Sequence, residues 1–271
     1  MNKGSKETGL IFLKLGGSLI TDKNSPRTAR IDIIRRVGEE IRSAHEHNPS
    51  LQILLGHGSG SFGHYSGKEH KTRDGVISKE DWLGFAEVWY DAASLNHLVI
   101  NSCREVGLSP LVFPPSASVT ATNRKITSWD LAPLISALDK GLLPVVYGDV
   151  VFDSSIGGTI LSTEDLFVHL ARKLEPGRIL LAGRDPGVWR DFPKCTSLFD
   201  KIQPSDRDIL DDAVSQSQAT DVTGGMADKV RQMLNLVEDI PGLDCLIFSG
   251  EKAGNISDAL SGQDLGTLLT P

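Results

Sequence analysis

The sequence predicts an α/β protein built on a mainly parallel sheet with helices on both faces. Three observations carry this. Short apolar runs at 10–15, 51–55, 108–113, 142–147, 178–182 and 243–248 have the length of buried strands. Longer segments between them carry apolar residues at helical spacing. The two kinds alternate along most of the chain, which is the pattern of parallel strands joined by crossover helices.

Taken in order, strand 10–15 runs into Lys14-Leu15-Gly16-Gly17-Ser18. Ile34, Val37, Ile41 and Ala44 then mark a helix over 31–47 that stops before Pro49. Strand 51–55 ends in a second glycine segment, Gly58-Ser59-Gly60-Ser61-Phe62-Gly63-His64. Ser78, with Asp81 three residues on, begins a long amphipathic helix to about 106. Strand 108–113 follows, then a helix over 130–140 ended by Gly141, then strand 142–147. Residues 150–153 and 159–161, separated by Ser-Ser-Ile-Gly-Gly, form a hairpin. Thr163 caps a helix to about 174, strand 178–182 follows, and helix 224–237 precedes strand 243–248. Nothing marks a linker, so residues 1–271 are expected to form one domain.

At 271 residues and 39% hydrophobic content the chain can bury a large core. A net charge of −7 argues against nucleic acid or an anionic membrane as the main partner. Cys103, Cys195 and Cys245 are far apart and form no metal or disulfide pattern, as expected of reduced cytosolic thiols. The opening MNKGSKETG lacks the apolar core of a signal peptide, and no apolar run approaches about 18 residues. A soluble, cytoplasmic protein is expected, with no side-chain metal site.

The two glycine segments hold the chemistry. Glycines at a strand end let backbone N–H groups turn toward an anion, and strand ends are where α/β proteins bind ligands. Gly58 to Gly63 matches the dinucleotide pattern G-x-G-x-x-G, but in the second strand–helix unit, with the candidate ribose acids Glu80 and Asp81 at a helix start. No Walker A sequence is present. Two anion loops side by side are what phosphoryl transfer needs. Alternation buries Lys14, which is costly unless an anion pairs with it. Lys23 lies nine residues beyond, and His64 can donate to an oxyanion. Asp149 ends a strand, where it either organises lysines or a magnesium shell or caps a turn. Gly224-Gly225 opens a helix with Lys229 one turn in, a phosphate seat.

With these segments in this order, the chain resembles the amino acid kinase superfamily, and within it the isopentenyl phosphate kinases. The matching pieces are Lys14-Leu-Gly-Gly-Ser18 with Lys23, His57-Gly-Ser-Gly-Ser-Phe-Gly-His64, Gly148-Asp149, Ser162-Thr-Glu-Asp165, and Asp221-Val-Thr-Gly-Gly-Met226 with Lys229. The histidine closing the second segment is the specific element, shared mainly with fosfomycin kinases. The resemblance implies a three-layer αβα sandwich of about eight strands, a homodimer, and ATP with Mg2+. It implies an acceptor-binding part at about 10–175 and a nucleotide-binding part at about 176–271. By position, it implies that Lys14, Gly16, Gly17 and Ser18 line the ATP phosphates and Lys23 stabilises the transition state. Ser59, Gly60 and Gly63 lie between or beside the phosphates, and His64 holds the phosphate of isopentenyl phosphate. Trp89, Asp149 and Thr163 match the acceptor side, while Gly183, Arg184, Gly225 and Lys229 match the nucleotide side. Two departures stand out: Ser59 replaces a frequent glycine, and Ala182-Gly-Arg-Asp-Pro-Gly-Val-Trp189 replaces the usual Thr-Asp-x-Asp-Gly-Val.

Phe85, Val88, Trp89 and Ala92 share one face of the long helix by spacing, and either line a hydrocarbon slot or pack the core. The rival functions are a fosfomycin-type phosphonate kinase and a non-catalytic nucleotide sensor or storage protein.

Overall fold

The computed structural model describes residues 9–22, 24–207 and 225–271, with the backbone alone at His64. The chain opens with β1 (Leu10–Leu15), the single turn α1 (Gly17–Ile20), α2 (Ile31–His47), β2 (Gln52–His57), α3 (Gly60–Glu69) and the long α4 (Lys79–Glu105). Next come β3 (Pro110–Val112), α5 (Pro115–Ser118), β4 (Val119–Thr122), β5 (Lys125–Trp129), α6 (Ala132–Asp139) and β6 (Leu143–Tyr147). Then follow β7 (Asp149–Asp153), β8 (Gly157–Leu161), α7 (Thr163–Leu174), β9 (Arg178–Gly183) and β10 (Lys201–Ile202). The rest is α8 (Gly225–Asp239), β11 (Asp244–Ser249), α9 (Asn255–Leu260) and β12 (Thr267–Leu269).

Eight strands form the main sheet in the order β10-β12-β11-β9-β1-β2-β6-β3, every neighbouring pair parallel except β11–β12. The period of two along each strand splits the interior into two cores. Leu10 and Phe12, Leu54, Ile179 and Leu181 face one core, together with Phe167 of α7 and Val230 of α8. Leu13 and Leu15, Ile53 and Leu55, Leu180 and Ala182 face the other, with Ile34 of α2, Leu95 of α4 and Ile256 of α9. The expected αβα sandwich is present, and the same alternation turns Lys14 toward the α7 side.

Three local features differ from the sequence-based expectation. The second glycine segment continues as helix α3 rather than as a loop. A second sheet, β5-β4-β7-β8, surrounds the expected hairpin. Its β4–β5 turn places Asn123 and Arg124 at φ 49 and 61, with N–H groups donating to the Asp153 carboxylate at 3.1 and 2.7 Å. That carboxylate lies about thirty residues away, so no local pattern announces the turn. Finally, Ser162 rather than Thr163 caps α7. Its hydroxyl accepts from Asp165 N–H at 3.1 Å, and the Asp165 carboxylate accepts from Ser162 N–H at 2.8 Å. Ser78 and Asp81 form the equivalent box at α4, as expected. Among the described residues, no helix is long and apolar enough to cross a membrane.

Candidate active site

Parallel pairing sets Lys14 beside Gly56 and Leu15 beside both His57 and Ala182. The carboxyl ends of β9, β1 and β2 therefore lie together, at the point where the strand order reverses direction, the usual ligand position in such sheets. There the two glycine segments touch. A Cβ on Gly17 would lie 2.4 Å from Gly60 N and 2.5 Å from its Cα, while Gly60 itself takes φ +49. Only backbone without side chains approaches backbone this closely. Gly16 N–H donates to Ala182 O at 2.8 Å, which brings the first segment alongside Gly183 at the end of β9.

Ser59 precedes α3 and Gly60 begins it. Ser61 N–H donates to Thr21 Oγ1 at 2.9 Å, and that hydroxyl donates to Gly17 O at 2.7 Å, which ties the two segments a second time. Gly63 lies one turn into α3, where a Cβ would stand 2.5 Å from Ser59 Oγ. His64 follows in α3, with its side chain outside the described residues. Lys23 also lies outside them. Ser18 sits in α1, and the N–H groups of Gly17 and Ser18 start that turn.

Lys14 is 5% exposed and forms a short ion pair with Glu164, itself 4% exposed in the first turn of α7. Lys229 of α8 brings Nζ to 4.0 Å from the same Glu164 Oε1. Burial pushes the Glu164 carboxyl up, but Lys14 and then Lys229 outweigh it and hold the group below its ordinary value. One buried carboxylate thus sits between two ammonium groups, and these three side chains together carry one formal positive charge. Gly56 makes the approach of α7 to β2 possible, since a Cβ there would meet Phe167 Cζ at 2.6 Å. Thr163 anchors the same helix by donating to His57 O at 2.6 Å. Glu164 is the member of this group that the sequence does not single out, because its partner Lys14 lies 150 residues away.

The other expected residues occupy separate positions. Gly225 starts α8 with φ +67. Arg184 leaves the end of β9 and pairs through Nε with Glu251 Oε1 at 3.1 Å; Arg30 takes both oxygens of that carboxylate at 2.6 and 2.9 Å. Phe85, Val88 and Ala92 of α4 are buried, whereas Trp89 is 44% exposed. Phe85 and Val88 join Val76 and Val150, with Trp82 and Ile160 packed against them, in a third apolar cluster between α4 and the second sheet.

Asp149, 1% exposed, turns into the backbone, accepting from Ser116 N–H at 3.2 Å and Val150 N–H at 2.9 Å. Burial pushes its carboxyl up to about 6, against the pull of these hydrogen bonds. A folded value above the unfolded one means that the neutral acid is favoured in the native state. Its stabilising contribution is complete below the unfolded value and is lost as pH rises through about 6. Asp149→Asn is therefore expected to gain on the wild type by about 1–3 kcal/mol between pH 5 and 7.5 in denaturant melts. A difference that stays constant or runs the other way contradicts this.

Comparison with known proteins gives the family. Residues 9–249 match the model of the Amino acid kinase family. The chain is 35% identical to the isopentenyl phosphate kinase of Methanothermobacter thermautotrophicus, covering 96% of this chain and 99% of that one. It is 31% identical to the enzyme of the same name from Methanocaldococcus jannaschii, covering 95% and 97%. A solved isopentenyl phosphate kinase structure superposes with a TM-score of 0.81 at 32% identity, covering 96% of this chain and all of the other. The T. acidophilum isopentenyl phosphate kinase product complex gives 0.76 at 26% identity, covering 96% and 99%. Touching glycine segments and a lysine pair around one buried carboxylate sit on a fold shared over nearly full length: the chain belongs to the amino acid kinase family, in its isopentenyl phosphate kinase branch.

Proposed function

We propose that this chain transfers the γ-phosphoryl group of ATP to isopentenyl phosphate, giving isopentenyl diphosphate and ADP. The observation that carries this is the contact of Gly17 with Gly60 beside the Lys14–Glu164–Lys229 group. A donor phosphate on the first segment and an acceptor phosphate on the second would then lie next to each other. The relatives named for isopentenyl phosphate support a hydrocarbon phosphate as acceptor, while Phe85 and Val88 themselves pack in the core with Val76 and Val150.

A phosphate monoester has its second pKa near 6, so at pH 7 it is mostly the dianion and needs no general base. The obstacle is repulsion between two polyanions held in line, so the protein supplies position and positive charge. In this reading Lys14, Gly16, Gly17 and Ser18 hold the ATP phosphates, with Gly183, Arg184, Gly225 and Lys229 along the nucleotide. Ser59, Gly60 and Gly63 separate the two phosphates, His64 binds the acceptor, and Trp89, Asp149 and Thr163 flank it. Among the described residues no group of three acidic, histidine or cysteine side chains could hold a metal ion. Mg2+ is read as the counter-ion that arrives with ATP, carried by its phosphates. The protein is read as a cytoplasmic homodimer, with its acceptor part at about 10–175 and its nucleotide part at about 176–271.

The test is ADP release with isopentenyl phosphate, dimethylallyl phosphate and fosfomycin as acceptors. Isopentenyl phosphate should give the highest kcat/KM. Better turnover of fosfomycin, or no release with any acceptor, overturns the reading. Lys23→Ala should lower kcat more than it raises either KM, because its charge is needed most in the transition state. An effect confined to KM would remove Lys23 from that role.

A further inference from the structure

Residues 21–22 and 24–30 leave α1 and return to α2 as a hairpin. A bridge between Thr21 and Ala29 closes its base, with Asp22 N–H donating to Thr28 O at 2.9 Å and Arg30 N–H to Ile20 O at 2.8 Å. The hairpin lies on the start of α3, where Arg27 N–H donates to Ser61 O at 3.3 Å and Thr28 N–H to Ser61 Oγ at 3.4 Å. Its long reach is the Arg27 side chain, which leaves a backbone at φ +50. Arg27 Nε donates to Asp91 Oδ1 at 2.7 Å and Nη2 to Asp91 Oδ2 at 3.0 Å. Nη2 also lies 3.2 Å from Glu87 Oε1. Asp91 is 1% exposed on α4, and among the described residues Arg27 is its only ion-pair partner. The other oxygen of Glu87 lies 3.0 Å from Nε2 of His70, the residue that ends α3.

One guanidinium therefore joins the hairpin that follows the first glycine segment to the helix that carries Phe85 and Val88. Through Glu87 it also reaches the far end of α3. A two-bond fork onto a buried carboxylate fixes direction as well as distance, which an ammonium cannot do. We propose that Arg27 is a positioning residue that couples helix α4, on the acceptor side, to hairpin 21–30 on the donor side. Its kinetic half rests on the phosphoryl transfer proposed above; its structural half does not.

The test uses the full chain with Arg27→Gln, Arg27→Lys, Asp91→Asn and the Arg27→Gln/Asp91→Asn double variant. Amide exchange of residues 22–30 in nucleotide-free protein should quicken about ten-fold in Arg27→Gln and in Asp91→Asn, with β1 and β9 unchanged. Arg27→Gln should lower kcat about ten-fold with KM for ATP within about two-fold. Arg27→Lys should recover part of this, and the double variant should be no worse than either single one. If Arg27→Gln does not fold, Arg27→Lys carries both readouts. Wild-type exchange at 22–30 in the Asp91→Asn variant overturns the proposal, as does an unchanged kcat in a folded Arg27 variant. Should the wild type fail to phosphorylate isopentenyl phosphate, the functional reading falls, and exchange alone decides the coupling.

Discussion

Lys14→Met is expected to lower kcat by about 10²–10³, the loss found when one preorganised donor to a developing charge is removed. Methionine keeps the unbranched, apolar stem, so packing between β2 and β9 changes little. What disappears is the charge that Glu164 holds in place. The substitution also leaves the buried Glu164 with Lys229, at 4.0 Å, as its remaining ion-pair partner among the described residues, which costs stability. Activity and stability therefore have to be separated. Adding Glu164→Gln removes the orphaned carboxylate, so the Lys14→Met/Glu164→Gln protein should regain much of the lost Tm. It should not regain kcat, because no cation has returned. Glu164→Gln alone removes the carboxylate between the buried Lys14 and the partly buried Lys229, and its Tm should respond more strongly to added ATP than that of the wild type. Single-turnover rates and melts with and without nucleotide measure all three. A folded Lys14→Met protein with kcat within about two-fold of the wild type would exclude Lys14 from the chemistry.

Legibility in the sequence followed how local each signal was. Strands β1, β2, β9 and β11 are apolar runs that read directly, and their alternation already placed Lys14 inside. Ser78 and Asp81 are three residues apart and announced the start of α4. Helix α3 contains three glycines, each costing about 1 kcal/mol in a helix, so local propensity opposed it. Packing of α3 against α4 and the anchorage of Ser61 on Thr21 supply what propensity does not. Glu164 meets Lys14 across 150 residues of sequence. Nothing near either residue says that they meet; only the register of β1 with β2, and a glycine at 56 that admits α7, brings them together. The Arg27–Asp91 fork, 64 residues apart in sequence, was hidden for the same reason. The second sheet escaped because β4 and β5 are short and the Asp153 that organises their turn lies in β7.

His64→Ala should weaken acceptor binding and slow turnover by about ten- to a thousand-fold in kcat/KM for isopentenyl phosphate, with KM for ATP little changed. Asymmetry between the two substrates is the core of this expectation. In the proposed reading the first glycine segment and Lys14 hold whichever anion brings the transferable phosphoryl group, and they would serve many acceptors equally. His64 stands one turn into α3, which begins at Gly60. An imidazolium beside a dianionic phosphate is favoured by that charge, and the phosphate in turn gains a charge-assisted hydrogen bond worth about 1.5–3 kcal/mol. At about 1.4 kcal/mol per factor of ten its loss alone accounts for about ten- to a hundred-fold, and the phosphate left without its partner carries the rest of the range. His64→Gln keeps a neutral donor and should fall between the wild type and His64→Ala. The measurement is a full matrix of initial rates in both substrates. Equal losses toward ATP and acceptor would make His64 a support of the helix, and unchanged kinetics would remove it from the site. The split expected here would make the second segment a phosphate-reading element despite its dinucleotide-like pattern, and the two touching glycine segments would then have separate duties, one for donor and one for acceptor.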